Sequence, residues 1–137
     1  MMKKQIILEN RISELEGLTA FIGSYGEACR LSSETVFNLQ LALEECVSNV
    51  IMYAYPSDER HTIRVTGELQ DYDLVFTIED TGIPFDPTQV SEANTSLSAE
   101  DRPIGGLGIF LVRQLMDSMT YRREADKNLL TLRKRVR

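Results

Sequence analysis

The 137-residue chain is poor in the residues from which metal centres and disulfide scaffolds are built: it has two cysteines, Cys29 and Cys46, and one histidine, His61. Two cysteines make neither a disulfide framework nor a zinc site. They read as reduced thiols that pack in a core. His61 stands beside a strand start and reads as a surface residue. No apolar run approaches the ~18 residues needed to span a bilayer, which excludes a transmembrane helix. The N-terminus has only Ile6-Ile7-Leu8 before Glu9, too short for the apolar region of a secretory signal. A cytoplasmic protein is therefore expected. Basic residues are also in deficit, 15 against 21 acidic, for a net charge of −6. From Arg122 to Arg137 there are seven basic and two acidic residues, so the remaining body is strongly acidic. That balance argues against a direct nucleic-acid binder, whose footprint is a broad basic face. The basic end reads as a solvated strand or as a small anionic or acidic-partner patch. Neither an internal repeat nor a low-complexity tract is present.

What remains is ordinary for one globular domain spanning residues 1–137: 42% apolar and 26% charged. Lys4 to Glu9 reads as a short strand. Ser13 to Arg30 reads as a helix, with Leu15, Leu18, Phe21, Ile22, Tyr25 and Cys29 recurring at spacings of three and four. A second helix is capped by Ser32 or Ser33, buries Val36, Leu39, Leu43, Val47 and Val50, and stops before Pro56. Strands follow at Thr62–Leu69 and Tyr72–Glu79, joined across Gln70-Asp71 as an antiparallel hairpin. From Thr81 to Ile104 periodicity is lost and three prolines appear. Loops of more than 20 residues are uncommon in small domains and are often lids or binding loops. A third helix follows Gly105-Gly106-Leu107-Gly108, with Ile109, Phe110, Val112, Leu115 and Met116 apolar. A last hairpin pairs Met119–Glu124 with Leu129–Val136 across Asp126-Lys127-Asn128. Adjacent antiparallel strands, with too few helices to cover both faces, imply an α/β two-layer sandwich: a mixed, mostly antiparallel sheet with helices on one face.

Three short stretches carry possible chemistry. In Leu43-Glu44-Glu45-Cys46-Val47-Ser48-Asn49, Glu45 and Asn49 are four apart and share a helix face with the apolar Leu41, Ala42 and Met52, while Glu44 points elsewhere. The pair is either a helix-surface hydrogen bond or a metal–phosphate site, in which the Asn carbonyl suits Mg²⁺ and the carboxylate accepts a proton. In Glu79-Asp80-Thr81-Gly82, Asp80 is either a turn cap or an acceptor for an exocyclic amine such as adenine N6, and Gly82 lets a flat ring approach the backbone. The glycines before the third helix are either a flexible entry or a phosphate site at a helix N-terminus. They form no Walker A loop, since no Lys-Ser/Thr follows Gly108, and no dinucleotide fingerprint.

Together the three stretches resemble the N, G1 and G2 boxes of the GHKL (Bergerat-fold) ATP-binding superfamily. The branch they are most similar to is the anti-sigma-factor serine/threonine protein kinases. The likeness extends over nearly the whole chain, including Tyr53-Ala54-Tyr55 after the Asn box. It implies an ATP-binding anti-sigma factor that phosphorylates a small antagonist protein and sequesters a sigma factor, with ATP and Mg²⁺ as cofactors and a homodimeric assembly. By the same resemblance Glu45 is the general base and Asn49 the Mg²⁺ ligand. Asp80 and Gly82 bind adenine, Gly106 and Gly108 hold the phosphates, Gly105 is a hinge and Arg102 a γ-phosphate contact. Two departures stand out. Tyr53 occupies the place where the family often has His. Asn128-Leu129-Leu130-Thr131 replaces the family's Gly-Thr on the last hairpin. The alternative is a non-catalytic, nucleotide-gated protein-binding module of the same fold. With no phosphoacceptor helix pair before the domain and no transducing domain after Arg137, sensor kinases and chaperone- or topoisomerase-type ATPases are the disfavoured relatives.

Overall fold

The computed structural model describes residues 3–56, 59–89 and 106–136, with only the backbone of residues 106 and 107. Its core is one sheet of five strands: β1 (Lys3–Glu9), β2 (Thr62–Gln70), β3 (Asp73–Asp80), β4 (Ser118–Glu124) and β5 (Lys127–Arg135). They lie in the order β1-β2-β3-β5-β4, and all four ladders are antiparallel. The sheet is thus wholly antiparallel where a mostly antiparallel one was expected. Three helices cover one face: α1 (Leu15–Ala28), α2 (Ser33–Asn49) and α3 (Gly106–Leu115), with α2 packed between the other two.

The period of two along each strand decides which face is covered. Leu8, Ile63, Val65, Leu74, Phe76, Ile78, Leu130 and Leu132 all enter the core that the helices roof. The opposite face carries Thr66, Thr77, Thr131 and Thr120, in register across four strands. From the helix side, Leu18, Ile22, Leu39, Leu43 and Val47 complete the core. Val36, expected in the buried stripe, is only half-buried.

Several boundaries differ from the sequence reading, each for a local reason. The first helix opens with a 3₁₀ turn at Ile12–Glu14, and α1 proper begins at Leu15. It ends where Arg30 takes a left-handed φ of 58° and the Leu31 N–H donates to the Gly26 carbonyl at 2.9 Å. Ser32 caps α2, its hydroxyl accepting the Thr35 N–H. After Asn49 the α-helix passes into a π-helical turn, Val50–Ala54. The last hairpin turns at Ala125-Asp126, whose φ values of 51° and 62° are those of a two-residue primed turn. Asn128 therefore belongs to β5 and not to the turn. The basic C-terminal end is engaged locally: Arg133 faces Asp73 at 3.9 Å and Lys134 donates to the Leu115 carbonyl.

Phe76 sits fully buried at the centre of β3, edge-on to Tyr25 with ring centroids 5.9 Å apart. Phe76→Ala is expected to lower stability by about 3–5 kcal/mol through lost transfer energy and the cavity left behind, as urea denaturation at neutral pH would show.

Candidate functional site

The inward stripe of β3 reads Leu74, Phe76, Ile78 and then Asp80, so the alternation that builds the core also delivers a carboxylate to the core's edge. On β5 the same stripe reads Leu132, Leu130, Asn128, and the register pairs Asp80 with Asn128. Arg123 of β4 pairs with Asn128 in turn. A polar row therefore crosses three strands where the apolar rows end. Asp80 and Asn128 are both about 3% exposed, so each needs hydrogen-bond partners. Asp80 Oδ1 accepts the Gly82 N–H and the Asn128 Nδ2–H, both at 2.9 Å. Asn128 also donates to the Ile83 carbonyl, and its own carbonyl accepts from the Tyr121 hydroxyl, Arg123 and the Phe85 N–H. Burial pushes the Asp80 carboxyl above its ordinary 3.8, and Glu79 adds to the rise. The Asn128 and Gly82 hydrogen bonds and the Arg123 charge oppose it.

Above this row lies a small pocket of about 10 Å³, lined by Cys46, Asn49, Val50, Asp80, Phe85, Pro87, Ile109, Tyr121, Asn128 and Leu130. As folded here it is a narrow cleft with room for about one water, so a planar ring enters only if the side chains around it part. Gly82 is required in the turn just beyond Asp80: a Cβ there would overlap the Ala54 carbonyl oxygen, while the next residue's N–H donates to that same carbonyl at 2.8 Å. Cys46 is wholly buried and its thiol is pushed up to about 12, so it is a wall and not a nucleophile.

On α2, Asn49 is 2% exposed and faces the pocket. Its Nδ2 lies 3.5 Å from Glu45 Oε1, at the outer limit of a hydrogen bond. Among the described residues its carbonyl oxygen has no partner. A buried, unpaired amide oxygen is the donor a hard cation such as Mg²⁺ takes. Among the described residues no cluster of three His, Cys, Asp or Glu could hold a metal alone. Glu45 lies one turn earlier, half-buried. Burial raises its carboxyl above the ordinary 4.5, Glu44 adds to the rise, and the Asn49 contact opposes it. Its carboxylate packs directly against Gly108, where a Cβ would overlap it. Gly108 belongs to the first turn of α3, whose amides have no partners within the helix, and the next residue, Ile109, lines the pocket.

Glu45, Asn49, Asp80, Gly82 and Gly108, scattered over 64 positions of sequence, are thus brought together, and α3 opens at Gly106. Arg102 and Gly105 lie outside the described residues. One expectation needs correction. Met52 does not share the Glu45–Asn49 face: the wide π-helical turn rotates it out, half exposed, into a separate groove with Asn10, Arg11, Ile12, Ile51, Tyr55 and Arg60. His61 is partly exposed at the surface, as expected, and stacks on the Tyr55 ring at 4.7 Å. Asn128, Tyr121 and Arg123 were missed as site residues. The Asn128-Leu130-Leu132 alternation was the signal that put Asn128 on the inward face.

A cleft floored by a buried carboxylate beside a glycine-opened helix, under a helix bearing an acid and an amide, is the arrangement of a two-layer sandwich of the GHKL type. The chain belongs to the histidine kinase-like ATPase domain family, which matches residues 8–134. Among named relatives, the serine/threonine-protein kinase BtrW of Bordetella bronchiseptica is 30% identical over 75% of this chain and 72% of its own. The serine-protein kinase RsbW of Listeria innocua is 29% identical over 64% of this chain, which spans only 59% of the RsbW length. An anti-sigma F factor of Clostridium perfringens is 24% identical over 74% of this chain and 73% of its own. The fold is shared with a third of the solved chain that comprises the RsbU and RsbW domains of Rv1364c from Mycobacterium tuberculosis, at a TM-score of 0.71 and 17% identity, over 99% of this chain and 33% of that one. No helix among the described residues is long and apolar enough to cross a membrane.

Because both donors converge on one Asp80 oxygen, Asp80→Asn keeps both bonds while removing a buried charge. A carboxyl with a raised folded-state pKa contributes stability that is full below about 3.8 and is lost as pH rises through the folded-state value. Asp80→Asn is therefore expected to match or exceed the native protein in stability at neutral pH, with the difference shrinking as the pH falls toward 3.8. Urea unfolding across that range checks the sign.

Proposed function

We propose that this protein is an ATP-dependent serine/threonine protein kinase that also acts as an anti-sigma factor. Its substrate is a serine or threonine on a small anti-sigma-factor-antagonist protein, and it captures a sigma factor as a homodimer in the cytoplasm. The observation that carries the reading is the half-buried Glu45 carboxylate, set against Gly108 at the mouth of α3 and one turn from the unpaired carbonyl of Asn49. The names of the relatives support the activity, and their moderate identity keeps the partners a proposal.

In this reading Asp80 accepts a hydrogen bond from the exocyclic amine of adenine once the cleft parts to admit the ring, and Gly82 holds the turn just beyond Asp80. The first-turn amides of α3, with Gly106 and Gly108, receive the phosphates at the positive end of the helix. Arg102 contacts the γ-phosphate and Gly105 acts as a hinge. Asn49 is the protein ligand for Mg²⁺, which when bound neutralises charge on the phosphates. Glu45 accepts the proton from the attacking hydroxyl as that oxygen bonds to the γ-phosphorus, and the bond to the β-phosphate oxygen breaks to release ADP. Burial raises its pKa, which makes it a stronger base than a fully solvated carboxylate.

Glu45→Ala is expected to retain ATP binding and lower phosphoryl transfer by about 10²–10⁴-fold, the span typical of a lost general base. Asp80→Asn instead weakens ATP binding itself, by about tenfold or more. The native rate is expected to climb with pH along a limb that lies above 4.5. Incubation with γ-labelled ATP and candidate antagonist proteins is the direct assay. Label on serine or threonine supports the kinase, whereas tight nucleotide-dependent complexes without label support a binding module lacking catalysis. Equal losses of binding and transfer in both variants would contradict the assigned roles.

A further inference from the structure

The two oxygens of Asp80 are not equivalent. Oδ1 takes both the Gly82 N–H and the Asn128 Nδ2–H, whereas Oδ2 has no hydrogen-bond partner among the described residues. Asn128 is itself held in one orientation. Its NH₂ faces two obligate acceptors, the Asp80 carboxylate and the Ile83 carbonyl, at 2.9 and 2.8 Å. Its carbonyl faces two obligate donors, the Phe85 N–H and the Arg123 guanidinium, both at 3.3 Å, and the Tyr121 hydroxyl. Turning the amide over would set donor against donor and acceptor against acceptor. The amide is therefore a fixed donor aimed at one carboxylate oxygen, delivered by the cross-strand register that pairs residue 128 with residue 80.

We propose that Asn128 is a positioning residue for nucleobase choice: by occupying Oδ1 it presents Oδ2 alone to the pocket and makes the site demand a hydrogen-bond donor on the ligand. The proposal rests on the adenine-nucleotide reading of the pocket and adds a selector that acts through Asp80. Without the amide, Oδ1 loses one of its two donors and the carboxylate is free to turn about its last bond. The acceptor then no longer stands at one point in the pocket. Tyr121 has a graded share in the effect, since its hydroxyl is one of the donors that hold the Asn128 carbonyl.

The test uses two nucleotides that differ at one group: ATP, and purine riboside triphosphate, which lacks the exocyclic amine. Calorimetric titration of the native protein, Asn128→Ala and Tyr121→Phe with each gives three affinity ratios, and melting curves verify folding. The native protein is expected to prefer ATP. In Asn128→Ala, ATP affinity is expected to fall about tenfold or more and purine riboside triphosphate affinity less than about threefold, so that the preference collapses. Tyr121→Phe is expected to move the ratio the same way by a smaller factor, and it carries the test if Asn128→Ala does not fold. An unchanged ratio, with both nucleotides weakened equally, overturns the positioning role and leaves the pocket reading intact. A native protein that does not distinguish the two nucleotides overturns both.

Discussion

A carboxylate buried at the end of an apolar strand is the constraint around which this molecule is arranged. Asp80 occupies the inward position that the β3 alternation would otherwise give to another aliphatic side chain. A buried charge is costly without compensation. Compensation comes from three directions: the Gly82 amide in the turn just beyond the strand, the Asn128 amide across the ladder and the nearby positive charge of Arg123. Those groups satisfy one oxygen and leave the other uncommitted. The raised carboxyl pKa is the residue of that incomplete compensation. Such stored disadvantage is common at sites that await a ligand.

The same helix serves the core and the site. One side of α2 buries Leu39, Leu43 and Val47 against the sheet, while the edge of that stripe carries Glu45 and Asn49 toward the pocket mouth. The π-helical turn that follows separates the two environments beyond Asn49. It keeps Val50 on the pocket wall and sends Met52 into a different groove. It also brings the Ala54 carbonyl against the loop after Asp80, where only glycine fits at position 82. Wide turns of this kind are rare and recur at functional sites.

Much of this was legible in the residues. The 3.6-residue period placed α2 and put Glu45 and Asn49 on one face. The period of two placed β2 and β3, and Asp-x-Gly marked the strand end. The antiparallel two-layer arrangement followed from the order of elements. What escaped was set by backbone geometry without a strong sequence signature. Ala125-Asp126 turns the last hairpin with two left-handed residues, although neither is the glycine that usually announces such a turn. The sequence pattern therefore starts the strand at Leu129 and leaves Asn128 in the turn, whereas β5 begins at Lys127. The π-helical turn is equally silent in the sequence, so counting at 3.6 residues per turn places Met52 on the wrong face. The stacking of His61 on Tyr55 arises only through tertiary folding and has no local pattern in the sequence.

The central claim is that this pocket and the opening of α3 receive one Mg²⁺–ATP. Thermal unfolding of the protein with ATP, with Mg²⁺ and with both together tests it most directly. At about 100 times its dissociation constant a ligand of the folded state adds ~2.7 kcal/mol of apparent stability. The account predicts a shift of that size with ATP and Mg²⁺ together, a smaller one with ATP alone and little with Mg²⁺ alone. An unfolding temperature indifferent to ATP at millimolar concentration, with or without the cation, would contradict it.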